Sequence, residues 1–193
     1  MIISNLGTLK STMQEHISKR QSIIWTIGCF DILHPWHIEV FKFCRSIGDV
    51  VVVWINSDSS SYWESKPGRP INNISFRSNM LEAIKYIDYI YIYNDKDPAN
   101  IVKEIQPTII VKWWDYLINW YEWLIRNKWS YLDLTDAYNF IVHSWNSTGV
   151  LNKSYMPEAI SCVENWWKVY IFKAIEWLSS TNVINKIISV YGK

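Results

Sequence analysis

The stretch IIWTIGCFDILHPWHIEVFKFCRSI, residues 23–47, carries two periodicities joined by a short turn. Ile23–Phe30 is an apolar run of strand length. From Trp36 to Ile47 the apolar residues Ile38, Phe41, Cys44 and Ile47 recur every three positions, which predicts a helix. Gly48 suits the position just past a helix end, where a left-handed residue closes the last turn. Asp49–Ser57 (DVVVVWINS) follows, almost wholly apolar and β-branched, as in a strand buried on both faces of a parallel sheet. Strand, turn, helix and buried strand make a parallel α/β unit.

The same alternation continues outward. Leu9, Met13 and Ile17 predict a short amphipathic helix over about 8–20. Downstream of the loop Lys66-Pro67-Gly68-Arg69-Pro70, a helix is expected near Ser75–Lys85 and a strand at Tyr89–Tyr93. A helix at Pro98–Ile105 and strands at Thr108–Val111 and Lys168–Ala174 come next. A last helix opens at Ser179-Ser180-Thr181 with Ile184, Ile187, Ile188 and Tyr191 on one face. Five strands alternating with helices predict a single α/β domain over residues 1–193, built on a Rossmann-like, doubly wound parallel sheet. The periodicity weakens between Tyr116 and Val163, and about 117–162 reads as an insertion.

Composition narrows the function classes. At 193 residues, 49% hydrophobic and 19% charged, the chain suits one globular domain. A net charge of +1 speaks against binding nucleic acid by electrostatics. No apolar stretch approaches the roughly 18 residues of a membrane span, and the polar N-terminus (MIISNLGTLKSTMQEHISKR) lacks a signal-peptide core. Cys29, Cys44 and Cys162 form neither a disulfide framework nor a zinc pattern, so the expected location is the reducing cytoplasm. One pair of counts runs the wrong way for an α/β protein rich in turns: 6 glycines against 13 tryptophans.

Chemistry concentrates at the first turn. In a doubly wound sheet ligands bind at the carboxyl ends of strands, where a helix N-terminus offers free N–H groups to a phosphate. His34 and His37 flank this turn and could donate hydrogen bonds to phosphate oxygens as charge builds in a transition state. On spacing alone two unrelated histidines are the commoner reading, and no third ligand nearby supports zinc.

The turn, Thr26-Ile27-Gly28-Cys29-Phe30-Asp31 with His34-Pro35-Trp36-His37, resembles the T-x-G-C-F-D-x-L-H-x-G-H motif of the cytidylyl- and adenylyltransferase superfamily. Asp49–Asp58 resembles its GD-x-V-V-V-G-I-N-S-D segment. Pro67–Asn72 with Arg77 resembles G-R-P-I-N…R, and Val111–Tyr116 resembles V-K-G-G-D-Y. Glu164–Lys168 and Glu176–Thr181 resemble the closing G-G-K strand and E-G-x-S-T-T helix start. The combination is most similar to adenylyltransferases that make ADP-heptose from D-glycero-β-D-manno-heptose 1-phosphate. Glycerol-3-phosphate cytidylyltransferases are close relatives that lack the V-K-G-G-D-Y and G-R-P-I-N segments, and cytidylyl transfer to a polyol phosphate is the alternative activity.

The tryptophan excess acquires a pattern from this resemblance. Trp36, Trp54, Trp113, Trp114, Trp166, Trp167 and Trp177 all stand where the family carries glycine, whereas Trp25 stands where aromatic residues are common. The resulting reading is that most tryptophans here represent glycine codons: UGA encodes glycine in some uncultivated bacterial lineages, and a table assigning it to tryptophan would write this sequence. Glycine at these positions lets the backbone approach a phosphate closely. An indole between His34 and His37 is expected to occupy the triphosphate's place, narrowing the pocket and leaving the protein inactive. The competing readings are an aromatic-rich carbohydrate-binding protein or a degenerate nucleotide-binding subunit.

The resemblance implies nucleotidyl transfer from ATP, with Mg²⁺, to a sugar 1-phosphate. His34 and His37 would act on the triphosphate. Gly28, Cys29 and Phe30 would line the nucleotide pocket, and Asp31 would be structural or a water-mediated partner of Mg²⁺. Trp36, at its glycine slot, would border the phosphates. Lys112, Trp113, Trp114 and Asp115 would sit at the base and ribose, and Ser179, Ser180 and Thr181 at the β- and γ-phosphates. Lys66 and Arg69 are candidates for the acceptor phosphate, although Ser65-Lys66 departs from the family's lysine-glycine order, and Ile27 replaces its asparagine. Cys29 is expected to line the pocket, with His16 and His143 as surface residues. A sugar kinase would be a separate chain, and a homodimer is consistent with the family.

Overall fold

The computed structural model describes residues 1–94, 99–113, 131–133, 168–172 and 180–192. Its strands are β1 (Ile2–Ile3), β2 (Ile23–Gly28), β3 (Val50–Asn56), β4 (Tyr89–Tyr93), β5 (Ile109–Trp113), β6 (Tyr131–Asp133) and β7 (Lys168–Phe172). The helices are α1 (Leu6–Ser18), α2 (Pro35–Ile47), α3 (Ile74–Glu82), α4 (Ala99–Ile105) and α5 (Ser180–Tyr191), with a 3-10 turn at Ser61–Ser65. They form one sheet in the order β1-β4-β3-β2-β5-β7-β6, parallel except for the β6–β7 pair.

The five expected strands are the parallel neighbours β4, β3, β2, β5 and β7. Two short strands, unforeseen from the sequence, extend the edges, and β6 comes from within the presumed insertion. The first strand stops at Gly28 rather than Phe30, and the first helix runs from Leu6 to Ser18 rather than over 8–20. Asn5 sets that helix start by accepting the Thr8 N–H on its side chain (3.1 Å).

Strand order fixes which helix covers which face. The crossovers from β2 through α2 to β3, and from β3 through α3 to β4, step in one direction. The crossovers through α1 to β2 and through α4 to β5 step in the other. Right-handed connections therefore put α2 and α3 on one face and α1 and α4, which touch each other, on the opposite one. Under α2 and α3 lies a cluster of Ile24, Val51, Val53, Ile55, Ile90, Ile109 and Val111, closed by Val40, Phe41, Cys44 and Leu81. On the other face Trp25 and Trp54 are fully buried with ring centroids 4.3 Å apart, and Tyr91 and Tyr93 complete the aromatic layer. Neither indole N–H has a hydrogen-bond partner. His16 is no bare surface residue: its ring contacts Gln21 Oε1 at 2.7 Å and the Tyr89 hydroxyl at 2.9 Å, joining α1 to β4.

Gly48 serves a different end from the one its sequence position implies. Its backbone is extended (φ −168°), not left-handed. A Cβ there would fall 1.6 Å from Ile24 Cδ1, so glycine is required by the closeness of the chain to β2. Gly48→Ala is expected to lower the unfolding free energy by about 1–3 kcal/mol through overpacking, measured by denaturant titration; an unchanged midpoint would refute the close-packing account.

Candidate active site

Strand order reverses between β2 and β5, since the chain leaves β2 toward β3 and β5 toward β7. The crevice at such a switch point is where open α/β sheets bind ligands. Here it is bordered by the turn after β2, residues 29–34, and by the end of β5, which carries Lys112.

The turn is held tightly. Phe30 has a left-handed backbone (φ 47°), a conformation that costs a non-glycine residue about 1 kcal/mol and persists only where its surroundings enforce it. Its ring is buried and lies 5.4 Å from both His37 and Phe41. His34 is the N-cap of α2, with Pro35 in the first turn. The His34 backbone N–H donates to His37 Nδ1 (3.1 Å), so neutral His37 carries its proton on Nε2. The two imidazoles are nearly in contact, with centroids 3.8 Å apart, and His34 Nδ1 has no partner. Burial lowers the His37 pKa to about 3, assisted by repulsion from His34, and burial also lowers that of His34. Two neutral rings at a helix N-terminus offer N–H donors to an anion without bringing charge of their own.

A second helix N-terminus meets the first. Ser180, which opens α5, donates its hydroxyl to the Ile32 carbonyl across the turn (3.1 Å). Thr181 is exposed beside it. Ser179, Trp114 and Asp115 lie outside the described residues, and Trp113 is described only as the last residue of β5. Lys112 is buried on β5.

The acceptor-side candidates are already engaged. Lys66 is exposed, with its ammonium on the Tyr62 hydroxyl and 4.6 Å from that ring's centroid. Arg69 Nη1 donates to the Asp31 carboxylate (3.2 Å). Burial raises the Cys29 thiol pKa, with a Tyr62 hydrogen bond opposing it, so Cys29 is a thiol at neutral pH and lines the turn.

Sequence reasoning gave no role to Arg77. Its guanidinium is buried and binds the carbonyls of Cys29 (2.8 Å) and Asn72 (2.9 Å) and the Asp58 carboxylate (2.6 Å). The available signal was an arginine four residues before the core residue Leu81, on the buried face of α3.

The Mg²⁺ expectation can be tested against the donors. Among the described residues no group of three or more His, Cys, Asp or Glu could hold a metal ion. Asp31 already accepts hydrogen bonds from three N–H groups. These residues do not build a metal cage, although a cation carried by substrate phosphates needs none.

Trp36 is buried, with its ring centroid 6.3 Å from His34 and 6.4 Å from His37. It lies against the imidazoles and joins the core cluster, rather than standing out into the crevice as expected. Trp25, Trp36, Trp54 and Trp63 are all buried, so none of them offers the exposed ring that a carbohydrate-binding surface needs.

A Rossmann-like parallel sheet with this turn at its switch point is the architecture of the α/β nucleotidyltransferases. The cytidylyltransferase-like family model matches residues 25–186, and the chain belongs to that family. The bifunctional protein HldE of Campylobacter fetus is 40% identical over 96 residues, covering 50% of this chain and 21% of that protein. HldE of Geobacter metallireducens is 27% identical over 191 residues, covering 99% of this chain and 32% of that protein. The chain thus spans between about a fifth and a third of the length of these relatives. A crystal structure of pantoate-beta-alanine ligase from Francisella tularensis, complexed with beta-gamma ATP and beta-alanine, shares the fold at 13% identity. Its TM-score is 0.54, covering 100% of this chain and 79% of that one. No helix among the described residues is long and apolar enough to cross a membrane.

The histidine pair makes stability depend on pH. An unfolded histidine takes up a proton near 6.5, whereas folded His37 resists protonation down to about 3. The unfolded chain therefore binds more protons in that window, and stability falls as pH drops through it, by up to about 1.4 kcal/mol per pH unit for one histidine. Thermal unfolding is expected at lower temperature near pH 5 than near pH 7, with a shallower slope in His37→Gln. Equal slopes in the two proteins would show that His37 is not the group responsible.

Proposed function

We propose that this domain is an adenylyltransferase that transfers AMP from ATP to a sugar 1-phosphate, with heptose 1-phosphate as the first candidate, giving an ADP-sugar and pyrophosphate. The carrying observation is the pair of neutral imidazoles 3.8 Å apart at the start of α2, at the sheet's switch point. An oxygen of the acceptor phosphate attacks the α-phosphorus, forming a new P–O bond as the bond to the pyrophosphate leaving group breaks. No covalent enzyme intermediate is required, so the protein contributes positioning and charge stabilisation. His37 Nε2–H and the His34 ring supply donors to the α-phosphoryl oxygens, and the N-termini of α2 and α5 face the same anion. Lys112 serves the nucleotide from β5. Mg²⁺ would arrive with the triphosphate and screen its charge. The acceptor implies a separate sugar kinase reaction upstream, in the cytoplasm, and a homodimer is compatible with the family.

We also propose that the tryptophans at the family's glycine positions are glycines in the functional protein. The support is the coincidence of seven tryptophans with glycine positions of the family; the unpartnered, fully buried indole N–H of Trp54 costs about 1–3 kcal/mol, a cost that the retained Trp25 shares. TGG rather than TGA codons in the gene would end this reading.

The test is pyrophosphate release by protein carrying glycine at every tryptophan position except Trp25. ATP and CTP are each offered with heptose 1-phosphate and with glycerol 3-phosphate. Turnover is expected with ATP and heptose 1-phosphate. Turnover only with CTP and glycerol 3-phosphate would establish the cytidylyl alternative, and silence from a folded protein would remove both acceptors. In the active form, His37→Ala is expected to lower kcat by about 10²–10³-fold, and a change below about threefold would remove His37 from the chemistry.

A further inference from the structure

We propose that Asp31 is a positioning residue: it clamps the loop Arg69–Asn72 to the nucleotide turn and, through Arg77, to the end of β2, and it is not a ligand for a metal ion. The proposal rests on the reading of this turn as the nucleotide site.

Both oxygens of the Asp31 carboxylate are engaged. Its Oδ2 accepts from Arg69 Nη1 (3.2 Å) and the Ile71 N–H (3.1 Å), and its Oδ1 accepts from the Asn72 N–H (2.9 Å). Asn72 returns a bond, its Nδ2 donating to the Asp31 carbonyl (2.6 Å). The Asp31 side chain is 1% exposed, so a hydrated cation could reach it only by displacing donors that the fold supplies.

The circuit then continues into the scaffold. Arg77 Nε donates to the Asn72 carbonyl, Nη1 to the Cys29 carbonyl and Nη2 to Asp58 Oδ1. Asp58 Oδ2 in turn accepts the Ile74 N–H at the start of α3 (2.8 Å). Two carboxylates and two guanidiniums thereby join the end of β2, the segment after β3, the loop and α3 in one frame with no net charge. Such a frame holds the loop at a fixed distance from the imidazole pair. It also gives Arg69 a duty other than direct capture of the acceptor phosphate, because its Nη1 is bound to Asp31.

The experiment takes as parent the full chain carrying glycine at every tryptophan position except Trp25 and compares it with Asp31→Asn, Arg77→Met and Arg77→Lys in that background, with Arg69→Gln as the milder variant should Asp31→Asn fail to fold. Amide hydrogen exchange over the Ile71–Asn72 segment needs no substrate and reports the clamp directly. Exchange is expected to quicken by about tenfold or more in Asp31→Asn and Arg77→Met and to recover partly in Arg77→Lys. The Mg²⁺ midpoint for ATP binding is expected to stay within about twofold of the parent in Asp31→Asn, where losing a metal ligand would move it by about tenfold or more. With ATP and heptose 1-phosphate as probes, the acceptor KM is expected to rise while the ATP KM holds. Unchanged exchange in both Asp31→Asn and Arg69→Gln, or a tenfold shift (about) in the Mg²⁺ midpoint, overturns the proposal. A parent that binds no ATP would instead defeat the nucleotide reading, and the exchange measurement would still decide the clamp.

Discussion

The constraint on which the structure turns is the hand of its crossovers. Right-handed connections send α2 and α3 to one face and α1 and α4 to the other, so strand order must reverse somewhere, and it does so between β2 and β5. The reversal sets the carboxyl ends of those two strands side by side at the crevice. Everything with chemical potential gathers there: the strained Phe30 turn, the paired imidazoles, Lys112 and the first residues of α5. A strand end flanked by two helix N-termini favours an anion there.

Much of this was legible in the sequence because the signals were local. The valine run of β3 marks a strand buried on both faces, and the interval between Gly28 and Pro35 marks the turn. The two edge strands were not legible. Ile2–Ile3 is too short to show a period, and Tyr131–Asp133 acquires strand character only by pairing with β7. The site divides in the same way. His34 and His37 stand out through the motif around them rather than by spacing alone, but the role of Arg77 depends on Cys29 and Asp58, which lie far from it in the chain, as well as on nearby Asn72. Asp31 could equally have been scaffold or metal partner until its three donors were identified. Gly48 shows the reverse error: its place after a helix suggested a left-handed turn, whereas its reason is the side chain of Ile24.

Neutral histidines and a carboxylate paired with Arg69 leave this turn with little free charge of its own. Arg69 and Arg77 are paired with Asp31 and Asp58, and the Lys66 ammonium rests on Tyr62. On the proposed function, a triphosphate entering this site would meet oriented dipoles and the buried cation of Lys112, so little reorganisation would be needed as charge shifts along the phosphates.

The bond from Ser180 to Ile32 joins residues separated by 148 positions. Its consequence concerns order in time. A chain emerging from the ribosome can pair β2 with β3 and β4 early, because those strands and their crossovers are contiguous. The latch across this turn has to wait until Ser180 has left the ribosome. A nascent chain short of that point would hold the histidine turn paired to the sheet but without the bond that ties it to α5.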